Sequence, residues 1–313
     1  MRRDYLRTYI SAGGSTVKVV VANEADRTNV REGLASSATA AGFRYAHVDS
    51  AKRRVHLVHQ LLWEVATQIP WLDVAAGVLR RALVEDNRNV PASGVLTLEA
   101  LAEANDQTLR ELAQDLRRLV SNRVYKDYTL SREFRSAATA LCRAVYDDSA
   151  DLQREATDVI AWFDGTLQRI AALKRLGIFR KITRSNARQL FYSATSWLRS
   201  AGEPGMVVTV DIARYVLGKD APPAAFAAYT KLAALDLNEV LRQFIDATDE
   251  LNGAVIVFLT DERFLTDRER GLGSYEALRL RLTDDVRDRH RANPLAPMVS
   301  ISTRPASAVG MTL

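Results

Sequence analysis

VKVVVANEADRT, residues 17–28, reads as a strand running straight into a helix start. Val17, Val19, Val20 and Val21 form the β-branched run expected of a strand covered on both faces. A polar turn follows, and Val30, Leu34, Ala38 and Ala41 then recur at helical spacing, predicting a helix over roughly 28–41. Strand, short turn and helix N-terminus together make a natural phosphate cradle, because the first amides point outward and the helix dipole adds positive charge.

A working Walker A loop needs G-x-x-x-x-G-K-[ST], since glycines let the backbone curl around phosphate and the lysine reaches the terminal phosphates. In the matching register Val21 and Asp26 stand at the glycines, while Arg27 and Thr28 stand at the Lys and Ser/Thr positions. Only the last two keep their chemical sense. A carboxylate at Asp26 repels an anion, and Cβ atoms at both glycine positions restrict the backbone the loop requires. The stretch therefore predicts a nucleotide-binding fold with a damaged site, against the plainer alternative of a βα turn that never held phosphate.

The 313 residues leave room for one large domain or two modest ones. Apolar residues at 47% and charged residues at 26% argue for a soluble globular chain rather than a disordered or membrane one. The N-terminal MRRDYLRTYISAGGS has no apolar core of a signal peptide, and no run approaches the ~18 apolar residues of a spanning helix. A cytoplasmic protein is expected. The single cysteine, Cys142, excludes an intramolecular disulfide framework and a cysteine-rich zinc site. A net charge of +5 favours an acidic partner.

Residues 1–16 read as a short leading helix and a Gly13-Gly14 turn, and Gly42 suits the end of the helix after the first strand. FRYAHVDS, 43–50, predicts a second strand whose Asp49 and Ser50 can cap a helix over about 52–69, stopped by Pro70. Two βα units in succession argue for a parallel sheet. From 71 to 200 the periodicity is almost wholly helical, which reads as an insertion into an α/β core. The expected division is 1–70 as the first half of the core, 71–200 as the helical insertion and 201–313 as the second half. His56 and His59 lie three apart on a helix pattern with no third ligand, so no metal site is expected.

GMVVTVD, 205–211, has the Walker B form, in which Asp211 would hold magnesium through water. The base that a hydrolytic relative needs next is replaced by Ile212. AVIVFLT, 254–260, is a further buried strand ending in the polar Thr260, where AAA-like ATPases carry a sensor of the γ-phosphate. NPLAPMVSIS suggests a final edge strand, and 304–313 a tail. Lys174, Arg175, Arg180, Lys181, Arg184 and Arg188 form the densest positive stretch, with no acid among them, and are candidates for a nucleic-acid backbone. The plainer reading pairs them with acids elsewhere in the fold. No G-x-S-x-G nucleophile elbow is present.

Taken in order, these pieces resemble the ATP-binding proteins of BREX phage-resistance systems, the BrxC/BrxD-type family. TDERFLTDRERGLGSYEALRLRL, 260–282, carries the resemblance most specifically, with its polar strand end, Phe-containing loop, RG turn and Tyr-x-Ala-Leu-x-x-Arg helix. SREFRSAATALCRAVY, DVIAWFDG, LGIFRKITRSNARQL, GMVVTVD and NPLAPMVSI support it. The resemblance implies a P-loop NTPase (AAA/STAND-like) α/β core with a large helical insertion. It places Arg27, Thr28, Asp211 and Thr260 at the nucleotide-site positions, and Arg279 and Arg281 as sensor or finger candidates. The departures at Val21, Asp26 and Ile212 imply a member that kept the scaffold and lost some or all of its ATP chemistry. Such a chain would bind other defence proteins, and DNA as a further candidate partner, as an oligomer or within a complex. It would need no cofactor unless ATP and magnesium still bind. An active ATPase using Arg27 for lysine, or a DNA-binding module, are the alternatives.

Overall fold

Five segments become strands among the described residues, and the order in which they lie side by side sets everything near the candidate site. The computed structural model describes residues 6–224, 226, 228–283 and 296–301. Strand β1 (Thr16–Val21) is followed by helix α1 (Glu24–Ala40) and strand β2 (Arg44–Asp49). Helices α2 (Val58–Ala66), α3 (Trp71–Glu85), α4 (Leu98–Asn105), α5 (Leu109–Val120), α6 (Arg132–Tyr146), α7 (Ala150–Phe163) and α8 (Ala187–Ser200) then precede β3 (Met206–Asp211). Helices α9 (Ala213–Leu217) and α10 (Lys231–Asp246), strand β4 (Ala254–Thr260), helices α11 (Arg263–Thr266) and α12 (Glu276–Thr283), and edge strand β5 (Met298–Ser300) complete the described chain. The spatial order is β2-β3-β4-β1-β5, and every pairing is parallel.

Both faces of this sheet are covered, as continuous apolar strands require. On one face Val20, Val207, Val255, Val257 and Leu259 pack with Leu6, Ile10, Ala38 and Phe43 beneath α1. On the other, Val19, Val21, Val48, Val208, Val210, Ile256 and Phe258 share one continuous core with the helical block. That block is centred on aromatic side chains. Trp71 stacks on Phe163 with centroids 4.3 Å apart, and Phe134 meets Trp197 edge-on at 5.6 Å. Cys142 is fully buried there, and burial pushes its thiol up to about 12, which keeps it protonated.

Several sequence expectations shift. In the leading segment, where a short helix is expected, the described residues Leu6–Ile10 form a π-helical turn. The helix expected from 28 begins at Glu24, because the Asn23 side chain caps it. The helix expected over 52–69 covers only Val58–Ala66, and Asp49 and Ser50 do not cap it. Instead Asp49 Oδ1 accepts from the Ala51 amide at 2.7 Å. The intervening loop is held from outside: Tyr229 donates to Ser50 O at 2.6 Å and Arg53 O at 3.1 Å, and the His56 amide donates to Tyr215 Oη at 3.1 Å. The two tyrosines stack on each other at 3.8 Å. Residues 304–313, expected as a tail, lie outside the described residues.

Two glycines are required by close approach. A Cβ on Gly205, whose φ is +143°, would meet Gly253 O at 1.9 Å where β3 and β4 begin side by side. One on Gly271 would meet Phe264 O at 2.4 Å, so the RG turn folds tightly against the helix before it.

Candidate functional site at the strand ends

The pairing register brings the C-terminal ends of four strands into a row. Val21 lies opposite Thr260, Leu259 opposite Asp211, and Asp211 opposite Asp49. Only Ala22 and Asn23 separate β1 from α1, so Glu24 to Asp26, expected within the phosphate loop, are already helical. Asn23 Oδ1 accepts from the Asp26 amide at 2.9 Å, and its Nδ2 donates to Asp26 Oδ2 at 2.7 Å. An amide that a phosphate cradle would present to its ligand is thereby taken by the chain's own cap.

Arg27 fills the space beyond. It is 7% exposed, and its guanidinium bridges three strand ends. Nη1 donates to Ala22 O at 3.0 Å and lies 3.5 Å from Asp261 Oδ2, while Nε meets Asp211 Oδ2 at 3.4 Å. Burial raises the pKa of Asp211; the Ala213 amide and Arg27 oppose the shift, and neighbouring Asp49 adds to it. The Ala213 amide donates to Asp211 Oδ1 at 2.9 Å, so both carboxylate oxygens are engaged within the protein. Thr260 is fully buried, and its Oγ1 is sealed without a hydrogen-bond partner. Thr28 is half-buried at the start of the second turn of α1. As placed, these groups do not fit a nucleoside triphosphate with magnesium, because Arg27 is turned inward onto Asp211 and Asp261. Ile212, also buried, offers no base.

The other candidates sit elsewhere. Arg279 pairs with Glu276 on its own helix, Nε to Oε2 at 2.7 Å. Arg281 pairs with Asp246 and donates to Ala277 O at 2.9 Å. Neither bonds to the residues at the strand ends. In the basic stretch, acids arrive from distant helices: Arg175 meets Glu155 at 3.1 Å, Arg180 meets Glu133 at 2.9 Å and Arg184 meets Asp236 at 3.7 Å. Lys181 donates to Gln168 O at 3.0 Å. Lys174 and Arg188 make no ion pair among the described residues. His56 bonds to Tyr215 Oη through Nδ1 at 2.7 Å and His59 packs on Trp63, and among the described residues no cluster of metal ligands occurs.

A family model described as BREX system ATP-binding protein BrxC/D matches residues 94–305, more than half of the chain. The chain belongs to the BrxC/D family. No curated protein and no solved structure matches it. The BrxC/D match contains Asp211, Thr260, Arg279, Arg281 and the basic stretch, whereas Arg27 and Thr28 lie outside it. No helix among the described residues is long and apolar enough to cross a membrane.

Sequence reasoning missed Asn23 and Asp261 at this site, and offered Asp49 only as a helix cap. Asn23 carried a signal, since an Asn three residues before Asp26 at a helix start is a cap pattern. Asp261, immediately after the β4 apolar run, carried a weaker one.

Proposed function

We propose that this BrxC/D-family chain is a P-loop-derived, AAA/STAND-like protein whose nucleotide site is closed by its own side chains, and that it serves an antiphage defence system as a non-catalytic, protein-binding scaffold. The observation that carries this is the Arg27 guanidinium seated among Ala22 O, Asp211 and Asp261. The strand order supports the ancestry: β4, ending in Thr260, lies between β1 and β3, so the three strand ends that an AAA-like reading needs stand next to one another. The capped start of α1 and the Ile212 side chain support the loss of chemistry. A protein relieved of a nucleotide cycle acts by what it holds, and other proteins of the same defence system are the partners this reading names. Residues 71–200 are then an insertion between the halves 1–70 and 201–313 of the core.

The experiment is magnesium-dependent ATP turnover by the purified chain beside its Arg27→Ala variant. Turnover at the background rate in both is expected. Turnover by the parent chain that Arg27→Ala abolishes would overturn the reading and restore an active ATPase in which arginine stands for lysine. DNA binding through 174–188 is the weaker reading, because Arg175, Arg180 and Arg184 each face a carboxylate.

A further inference from the structure

Within the helical block, an open pocket of about 390 Å³ lies between α5, the π-helical turn Ser121–Tyr125 that continues it, and α6. Arg117, Val120, Ser121, Tyr125, Thr139 and Arg143 line it. No carboxylate is among the lining residues. Neither Arg117 nor Arg143 makes an ion pair among the described residues, although nearby cations do: Arg88 bridges Asp86 and Asp115, and Arg123 meets Glu85. Thr139 Oγ1 is buried without a hydrogen-bond partner. An unpaired buried hydroxyl costs stability unless a ligand or water completes it. The π-helical turn is a further marker, since such turns recur at functional sites. Tyr146 reports the local field: burial raises its phenol's pKa, and Arg143 and Arg117 pull it back.

The rim extends this chemistry outward. Arg135 lies over the Tyr128 ring at 4.6 Å and the Tyr125 ring at 5.8 Å, and both rings are exposed, Tyr128 at 79%. Two unpaired guanidiniums and two hydroxyls suit a phosphate, because arginine forks match its oxygens. An exposed tyrosine beside them suits the face of a base.

We infer that the Arg117–Arg143 pocket binds one nucleotide unit of a single-stranded nucleic acid, its phosphate between the two arginines, with a base against Tyr125. The strand, rather than a free mononucleotide, is favoured because Tyr128 and Arg135 continue the stacking surface past the pocket's mouth. This site is separate from the strand ends, and its fate does not depend on whether ATP is turned over there.

The test is fluorescence anisotropy of a labelled oligothymidylate with the full chain, repeated with free dTMP as competitor. The double variant Arg117→Ala/Arg143→Ala should weaken oligonucleotide binding about tenfold or more and flatten the log-log salt slope by about 0.7, the loss of one single-strand phosphate contact. Thr139→Val, close to isosteric, should weaken binding several-fold without altering the fold. Competition by dTMP at equal nucleotide concentration would keep the site and assign it to the free nucleotide. No binding of either probe, or binding unchanged in the double variant while Lys174→Ala/Arg188→Ala removes it, would overturn the inference.

Discussion

Arginine is used in opposite ways in two parts of this molecule. At the strand ends Arg27 is 7% exposed and meets two carboxylates and a carbonyl, so its charge is spent inside the fold. In the helical block Arg117 and Arg143 line an open pocket and meet no acid among the described residues. A cation paired on every side closes a cleft, and a cation left unpaired keeps one open to an anion. Where a guanidinium's partners come from therefore says more about a site than the presence of the arginine.

The contrast fails first if Arg27 is dispensable. Arg27→Ala should destabilise the chain by about 2 kcal/mol in urea unfolding. Breaking a fully buried pair costs roughly 3–5 kcal/mol, and solvent reaches these carboxylates in part. An unchanged midpoint would mean that Arg27 plugs nothing. Adding Asp211→Asn to Arg27→Ala should recover about 1 kcal/mol, since the carboxylate left unpaired is then neutral. Strict additivity of the two changes would show that the residues do not meet.

Histidines beside the sheet sharpen the comparison through pH. Burial lowers the pKa of His47, with Arg31 adding to the effect, and burial also lowers His56 and His59. A histidine whose folded pKa lies below the unfolded value of about 6.5 contributes stability that is present above that value and lost as pH falls through the folded one. The Tm should fall between pH 7.5 and 5.5, and His47→Gln should reduce the slope. A flat profile over that window would contradict the burial of these rings. The smallest effect belongs to the pocket: Arg117→Ala/Arg143→Ala should change stability by no more than about 0.5 kcal/mol, because neither charge is paired in the folded chain. A larger loss would reveal partners that the open pocket does not show.

Much of the sheet was legible. The valine run at 17–21 and the apolar runs at 206–210 and 254–259 could only be buried strands, and the two successive βα units pointed to parallel pairing. The start of α1 was misplaced by four residues because apolar periodicity begins at Val30, whereas the helix is nucleated by the Asn23 cap on Asp26. The shortened α2 could not be read locally, since Tyr215 and Tyr229, far along the chain, hold residues 50–56 in a loop. At the site, Asp26 stood out in the sequence as a carboxylate at a glycine position, and in the fold it bonds to the Asn23 cap of α1. What occupies the cleft depends on Asp261 and Asp211, far along the chain from Arg27, and such pairings leave no mark on spacing. The same holds for Glu155, Glu133 and Asp236, which compensate a stretch that looked uncompensated.

The most direct test is a thermal melt of the Arg117→Ala/Arg143→Ala chain, in which the helical pocket is disabled, with and without millimolar ATP and magnesium. A cleft filled by Arg27 gives the same Tm at every nucleotide concentration. A rise that grows with nucleotide concentration, worth about 2.7 kcal/mol at a hundredfold excess over Kd and erased by Arg27→Ala, would mean that the strand ends still hold triphosphate.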